Sequence, residues 1–178
     1  MQNEWMQFDG AFAESASENT QGYSLEVEDA MLMTANEYLQ HYAKDEALEA
    51  ANDGDADVLV LKMNITNDGN RDGYMSALTW RVVPPAGNDA YYIDWELFVH
   101  GEPAMEEAMG IFGIKPNTTR TLYVPFCKQK LGVDYTYLET PADGTSRFSV
   151  EEGTYELAFT STPVKHVIRL EAQHALSE

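Results

Sequence analysis

Val58-Leu59-Val60-Leu61-Lys62-Met63-Asn64-Ile65-Thr66-Asn67, followed by Asp68-Gly69, is the stretch whose reading decides the fold class. Leu59, Leu61, Met63 and Ile65 alternate with Val60, Lys62, Asn64 and Thr66. Successive side chains of a strand point to opposite faces, so this period of two is that of a half-buried β-strand. Asn67-Asp68-Gly69 supplies residues that tolerate positive φ and predicts a hairpin-type turn at its end.

The same alternation recurs on either side. Tyr23, Leu25 and Val27 alternate with polar neighbours, then Ala30-Met31-Leu32-Met33 continues the apolar run in a changed phase, which predicts a strand bulged near Asp29. Residues 37–51 hold good helix formers, with Leu39, Tyr42, Ala43 and Ala47 at helical spacing, and predict one short helix before the central strand. Residues 74–83 form a further strand, with Ser76, Leu78, Trp80 and Val82 on one face and Pro84-Pro85 ending it. Residues 86–119 exceed the roughly 12–15 residues that a structureless connection usually reaches. They should therefore hold a short strand at Tyr91-Tyr92-Ile93 and a helical turn over 103–109, with proline first. Strands are also predicted over 120–126, 147–150, 155–160 and 164–171. Many short strands separated by turn signals indicate a sandwich or a barrel. No composition shift divides the chain, so residues 22–178 read as a single domain after a flexible polar leader over 1–21.

Composition narrows function by exclusion. Thirty acidic residues against eleven basic ones give a net charge of −19, which repels phosphate backbones and anionic lipid surfaces. Neither nucleic acid nor a membrane surface is expected as a partner on that ground. No run approaches the ~18 consecutive apolar residues of a membrane span. Cys127 is the only cysteine, so the chain has no intrachain disulfide, and zinc spacings built from paired cysteines are absent. The polar start fits either a cytosolic protein or the stalk left after removal of a signal peptide.

Several strand ends and turns carry a family resemblance. They are Asn64-Ile65-Thr66-Asn67-Asp68-Gly69, Lys115-Pro116-Asn117-Thr118, Tyr123-Val124-Pro125-Phe126 and Glu151-Glu152-Gly153-Thr154-Tyr155-Glu156-Leu157. Together these resemble the immunoglobulin-like, telokin-like domains of uncharacterised bacterial exported lipoproteins, a domain of unknown function, across residues 23–170. The resemblance implies an all-β immunoglobulin-like two-sheet β-sandwich with a short helical insertion. It also implies an extracellular or cell-surface anchored location, the signal peptide having been removed, and it brings no catalytic residue. Cys127, deep in the sequence, is not the lipid-bearing cysteine of that pattern.

Motifs that could carry chemistry are incomplete. Asp68, Asn70 and Asp72, followed by Gly73, place oxygen ligands at alternate positions as in the first half of a calcium loop. The twelfth position needs a bidentate glutamate and holds Thr79, so a polar turn is the commoner reading of the loop 68–72. Asp53, Asp55 and Asp57 form a second acidic set, but the intervening strand separates the two by roughly 30 Å. His41, His100, His166 and His174 show no zinc spacing. No Gly-x-Ser-x-Gly and no phosphate-binding glycine loop occurs. Lys128 and Lys130 could lower the pKa of Cys127, although an inert thiol at a strand end is the simpler reading. A non-enzymatic protein without cofactor or metal is expected.

Aromatic residues suggest binding instead. Tyr91, Tyr92, Trp95 and Phe98, with Met105, Met109 and Phe112, make residues 86–119 richer in anchoring side chains than a solvated loop. The leading expectation is an exported or cell-surface module that binds a protein or envelope component through Tyr91, Tyr92, Trp95 and Phe98. The alternative is a calcium-dependent binding module that uses Asp68, Asn70 and Asp72.

Overall fold

The phase change in residues 23–34 is a β-bulge, and it shapes the whole architecture. The computed structural model describes residues 4–7, 19–44, 51, 53–84, 90–104, 110–129, 147–160 and 166–174. In chain order the elements are β1 (Glu4–Gln7), β2 (Tyr23–Thr34), α1 (Ala35–Tyr42), β3 (Asp57–Asn67), β4 (Met75–Ser76), β5 (Arg81–Val83) and β6 (Tyr91–Ile93). They continue with α2 (Trp95–Gly101), β7 (Ile111–Phe112), β8 (Thr118–Gln129), β9 (Arg147–Phe148), β10 (Gly153–Thr160) and β11 (His166–His174). The β2–β3 register shifts between Val27 and Asp29, so Leu25 and Val27 face inward before the shift, and Ala30 and Leu32 after it. The outward phase then belongs to Met31 and Met33.

β2 pairs with β3 along one side, while on the other it takes β1 through Ser24–Val27 and β11 through Met31 and Leu32. The β2–β11 contact is parallel, and it closes the sheet. Around the ring the order is β2, β3, β8, β6, β5, β10, β11 and back to β2, a closed barrel of seven strands among the described residues. This overturns the immunoglobulin-like two-sheet sandwich. A sandwich keeps two sheets with open edges, whereas here the first and last long strands pair. Strand alternation cannot separate the two folds, because both bury one face of every strand.

The interior is filled by side chains in register: Leu59 opposite Phe126, Leu61 opposite Val124 and Met63 opposite Leu122, all fully buried. Val58 and Val60 point out of the same strand and yet are equally buried. They lie with Met33 and Cys127 beneath Tyr38 and Leu39 of α1 and Leu97 of α2, in a second apolar layer outside the barrel. Double coverage explains why residues 58–61 read as a continuous apolar run while the later part of the strand alternates.

Local chemistry sets the helices. Thr34 caps α1: its Oγ1 accepts from the Glu37 amide at 3.1 Å, and the Glu37 carboxylate accepts from the Thr34 amide at 2.8 Å. These bonds hold the Glu37 carboxyl below the usual range. α1 therefore starts at Ala35, before the predicted 37–51, whose residues 45–50 lie outside the described residues. α2, which the sequence pattern did not predict, starts where Asp94 accepts from the Leu97 amide at 3.2 Å. Of the helical turn predicted over 103–109, positions 105–109 lie outside the described residues. Within the leader, Glu4–Gln7 forms β1 on β2.

Asn67-Asp68-Gly69 does not make a hairpin. β3 pairs with β2 and β8, and the chain leaves it for β4, which pairs with β7. The residues predicted as one strand over 74–83 divide into β4 and β5, and Leu78 between them is exposed. The cause is Asn67, which is fully buried. Its Nδ2 donates to the carbonyls of Asn70 and Ile114, each at 2.7 Å, and its Oδ1 accepts from the Asn70 amide at 2.8 Å. Tyr23 completes the network by donating to Gly73 O at 2.8 Å and accepting from the Ile114 amide at 3.1 Å. An alanine at position 67 would strand a buried carbonyl and an amide, each costing about 1–3 kcal/mol. Asn67→Ala is thus expected to lower stability by about 2–4 kcal/mol in urea unfolding; a loss within about 0.5 kcal/mol, the range of an ordinary surface change, would refute the role given to the network.

Candidate functional site

A cleft of ≈ 390 Å³ opens on the outer wall of the barrel, between α1, α2 and β8. It is lined by Tyr38, His41, Tyr42, Lys44, Glu102 and Tyr123, with Ala43, Gly101 and Thr121. Tyr38 and Tyr42, four apart on α1, share a helix face. Tyr42 stacks on Tyr123 of β8 with centroids 4.3 Å apart and an interplanar angle of 20°. Tyr38 is buried, and its hydroxyl donates to the Tyr123 carbonyl at 2.9 Å. α2 ends against it at Gly101, where a Cβ would come within 2.5 Å of the Tyr38 hydroxyl oxygen. Glycine there lets the two helices meet over the strand.

Glu102, just past α2, is held from two sides. Lys44 Nζ lies 3.0 Å from its Oε1, and Arg120 Nη2 donates to its Oε2 at 2.6 Å. Two cations thus share one carboxylate, and of the three groups Lys44 and Glu102 line the cleft. Burial, with the neighbouring Tyr123, pushes the Tyr42 phenol above its ordinary range, and burial pushes Tyr38 up as well. Both remain neutral phenols near pH 7. Among the described residues neither the Tyr42 nor the Tyr123 hydroxyl makes a hydrogen bond, while Thr121 Oγ1 donates to Asn64 Oδ1 at 2.7 Å. Arrangement on two helices and a barrel strand gives this cleft fixed walls.

The aromatic residues singled out in the sequence do not gather in one place that a ligand could reach. Tyr91 is 8% exposed and Phe98 is fully buried, both within the interior core. Trp95 is partly buried and packs against that core, its ring 5.6 Å from that of Phe98. Tyr92 alone is well exposed, pairing with Arg81 and Cys127 on the outer surface of the barrel. Met105 and Met109 lie outside the described residues. The sequence pattern does not single out Tyr38, Glu102, Arg120 or Tyr123, which are brought together by the fold. Phe98→Ala is expected to cost about 3–5 kcal/mol, as for other buried aromatic truncations, and Tyr92→Ala to stay within about 0.5 kcal/mol. Parallel denaturant curves check both; a stable Phe98→Ala protein would place that ring outside the core.

Other candidate groups have structural work to do. Asn70 turns its amide into its own loop: Oδ1 accepts from the Asp72 amide at 3.1 Å, and Nδ2 donates to Gln21 O at 2.8 Å. Asp53 accepts from the Arg147 amide at 3.2 Å, at the opposite end of β3. Arg147 itself is buried and donates through Nε to Asp94 Oδ2 at 2.7 Å and through Nη2 to Glu96 Oε2 at 2.9 Å. Cys127 lies beneath the helices, and burial, with Asp94 nearby, pushes its thiol far up, the opposite of the activation that Lys128 and Lys130 could have given. Of the histidines, His41 lines the cleft, and the side chain of His166 lies outside the described residues. Among the described residues no three His, Cys, Asp or Glu side chains stand together in a way that could hold a metal ion. With the Asn70 carboxamide engaged, the melting temperature should be the same in millimolar calcium and in chelator. A rise with calcium would return loop 68–72 to the cation sites, since extracellular modules bind at about 10⁻⁴–10⁻³ M.

Among the described residues no helix is long and apolar enough to cross a membrane. Comparison with known proteins finds no similar curated protein and no similar solved structure. A family model, the Domain of unknown function (DUF5028), matches residues 1–166. That match takes in the barrel strands through β10, both helices and every residue of the cleft, and the chain belongs to the DUF5028 family.

Proposed function

We propose that this chain is a non-catalytic binding module, exported or held at the cell surface, that takes an envelope component in the cleft between α1, α2 and β8. The cleft itself carries the reading. Its volume is in the range of small-molecule sites, and it joins aromatic side chains to a few polar groups on rigid elements. Tyrosine suits such a surface because it offers apolar area and a hydrogen-bonding tip at low entropic cost. The absence of chemistry is proposed because Cys127 is buried with a raised pKa, and because among the described residues His41 stands in a cleft lined by no serine or thiol. Export rests only on the resemblance of the strand ends and turns to those of exported domains; the resemblance in sandwich architecture no longer contributes.

Two measurements test the proposal together. Fractionation of the source cells should place the protein with the envelope. Titration of isotope-labelled protein with solubilised envelope material should move amide resonances of Tyr38–Lys44, Gly101, Glu102 and Thr121–Tyr123. Shifts confined to another surface would remove the cleft from function, and a purely cytoplasmic pool would sink the export reading.

A further inference from the structure

We infer that Arg147 is the positioning residue of the cleft, a clamp that ties the starts of α1 and α2 together one helix length away from it; that the clamp serves a binding site rests on the role just proposed. Arg147 opens β9, and its side chain is wholly buried, as is that of Asp94. Its Nε donates to Asp94 Oδ2 at 2.7 Å, and its Nη2 donates to Asp94 Oδ1 at 3.1 Å and to Glu96 Oε2 at 2.9 Å. A guanidinium held on both oxygens of one carboxylate is fixed in direction as well as in distance. The same Asp94 Oδ1 caps α2 by accepting from the Leu97 amide, while the Asp94 amide donates to the Pro125 carbonyl of β8 at 2.9 Å. Arg147 thereby sets where α2 starts.

The backbone of the same residue reaches α1. The Arg147 amide donates to Asp53 Oδ2 at 3.2 Å, and Asp53 opens the turn 53–56, whose Gly54 and Ala56 carbonyls accept from the Asn36 and Ala35 amides at 2.9 and 3.0 Å. The fit there is close, since a Cβ on Gly54 would overlap the Asn36 side chain. From these anchored starts the helices, of eight and seven residues, extend about 10–12 Å and touch along the way. They meet again at the cleft, where the Lys44 amide donates to the His100 carbonyl at 2.9 Å and Gly101 lies against Tyr38. Beneath them lie Val58, Val60 and Cys127, and apolar contact of that kind has no direction. Packing therefore holds the helices down, whereas the charged, hydrogen-bonded fork at Arg147 fixes how they are aligned. A pair of short helices clamped at one end carries a displacement there to the cleft walls at the other.

Amide hydrogen exchange of the intact protein, with no ligand added, tests the clamp. Arg147→Lys keeps the charge and loses the fork. It should speed exchange at Ala35, Asn36, Leu97 and Phe98, and at Lys44 beside the cleft, roughly tenfold or more, while Leu61 and Val124 in the barrel stay within about twofold. Asp53→Gly, which suits the φ of 46° at that position, cuts only the arm to α1. Ala35, Asn36 and Lys44 should then exchange faster, and Leu97 and Phe98 should not. An unchanged Lys44 amide in either variant overturns the inference. So does equal acceleration of Leu61 and Val124 in Arg147→Lys, the mark of a residue that stabilises the whole fold, or equal acceleration of both helices in Asp53→Gly. If Arg147→Lys fails to fold, the same amides in Asp53→Gly decide alone. Because no ligand enters, loss of the clamp leaves the binding role to the envelope titration, and failure of that titration leaves the clamp standing.

Discussion

The parallel contact between the end of β2 and the end of β11, Met31 with Gln173 and Leu32 with His174, is the constraint on which the barrel depends. Two residue pairs turn an open sheet into a closed one. They lie beyond the bulge at Glu28, where the register of β2 shifts and the second half of the strand takes a different neighbour from the first. Ahead of the shift β2 holds β1 along that side; beyond it, β11. Closure joins residues more than 140 positions apart in sequence, so it carries a larger loop-closure cost than the antiparallel contact of β2 with β3.

Much of this was legible in the sequence, and the gaps have physical causes. Alternation at Leu59, Leu61, Met63 and Ile65 located β3, and the phase change between Val27 and Ala30 located the bulge, because both are properties of adjacent residues. Closure is a relation between the two ends of the chain and leaves no mark in any local window. The turn at Asn67-Asp68-Gly69 was misread for a related reason. Its composition suits a hairpin, but Asn67 has spent its side chain on Asn70 and Ile114, and the partner strands of β3 come from elsewhere. α2 has only seven residues, too few to establish a helical period, although Asp94 three positions ahead of Leu97 is a capping signal that could have been noticed.

The candidate site was less legible than the fold. Tyr38 and Tyr42 stand at helical spacing, and Thr121 and Tyr123 lie on the outward phase of β8, so each half can be found by pattern. Nothing in the sequence says that the halves meet, or that Glu102 joins Lys44 to Arg120 beside them. Conversely, the aromatic density of residues 91–98 was conspicuous but ambiguous. Composition does not distinguish an anchor from a core residue, and the register that sends Tyr91 inward and Tyr92 outward is fixed by pairing with β5 and β8.

Closure also governs how copies of this protein meet one another. An open sheet presents a row of unpaired amides and carbonyls that can template another chain, and the pairing of β2 with β11 at Met31–Gln173 and Leu32–His174 shortens that row. The described strands outside the ring are short: β1 has four residues, and β4, β7 and β9 have two each. Short edges on a body with a charge of −19 give neighbouring copies little to extend and strong reason to stay apart. Where β2 and β11 pair, the closed sheet thus offers a neighbouring copy less edge to extend than an open sheet of the same strands would.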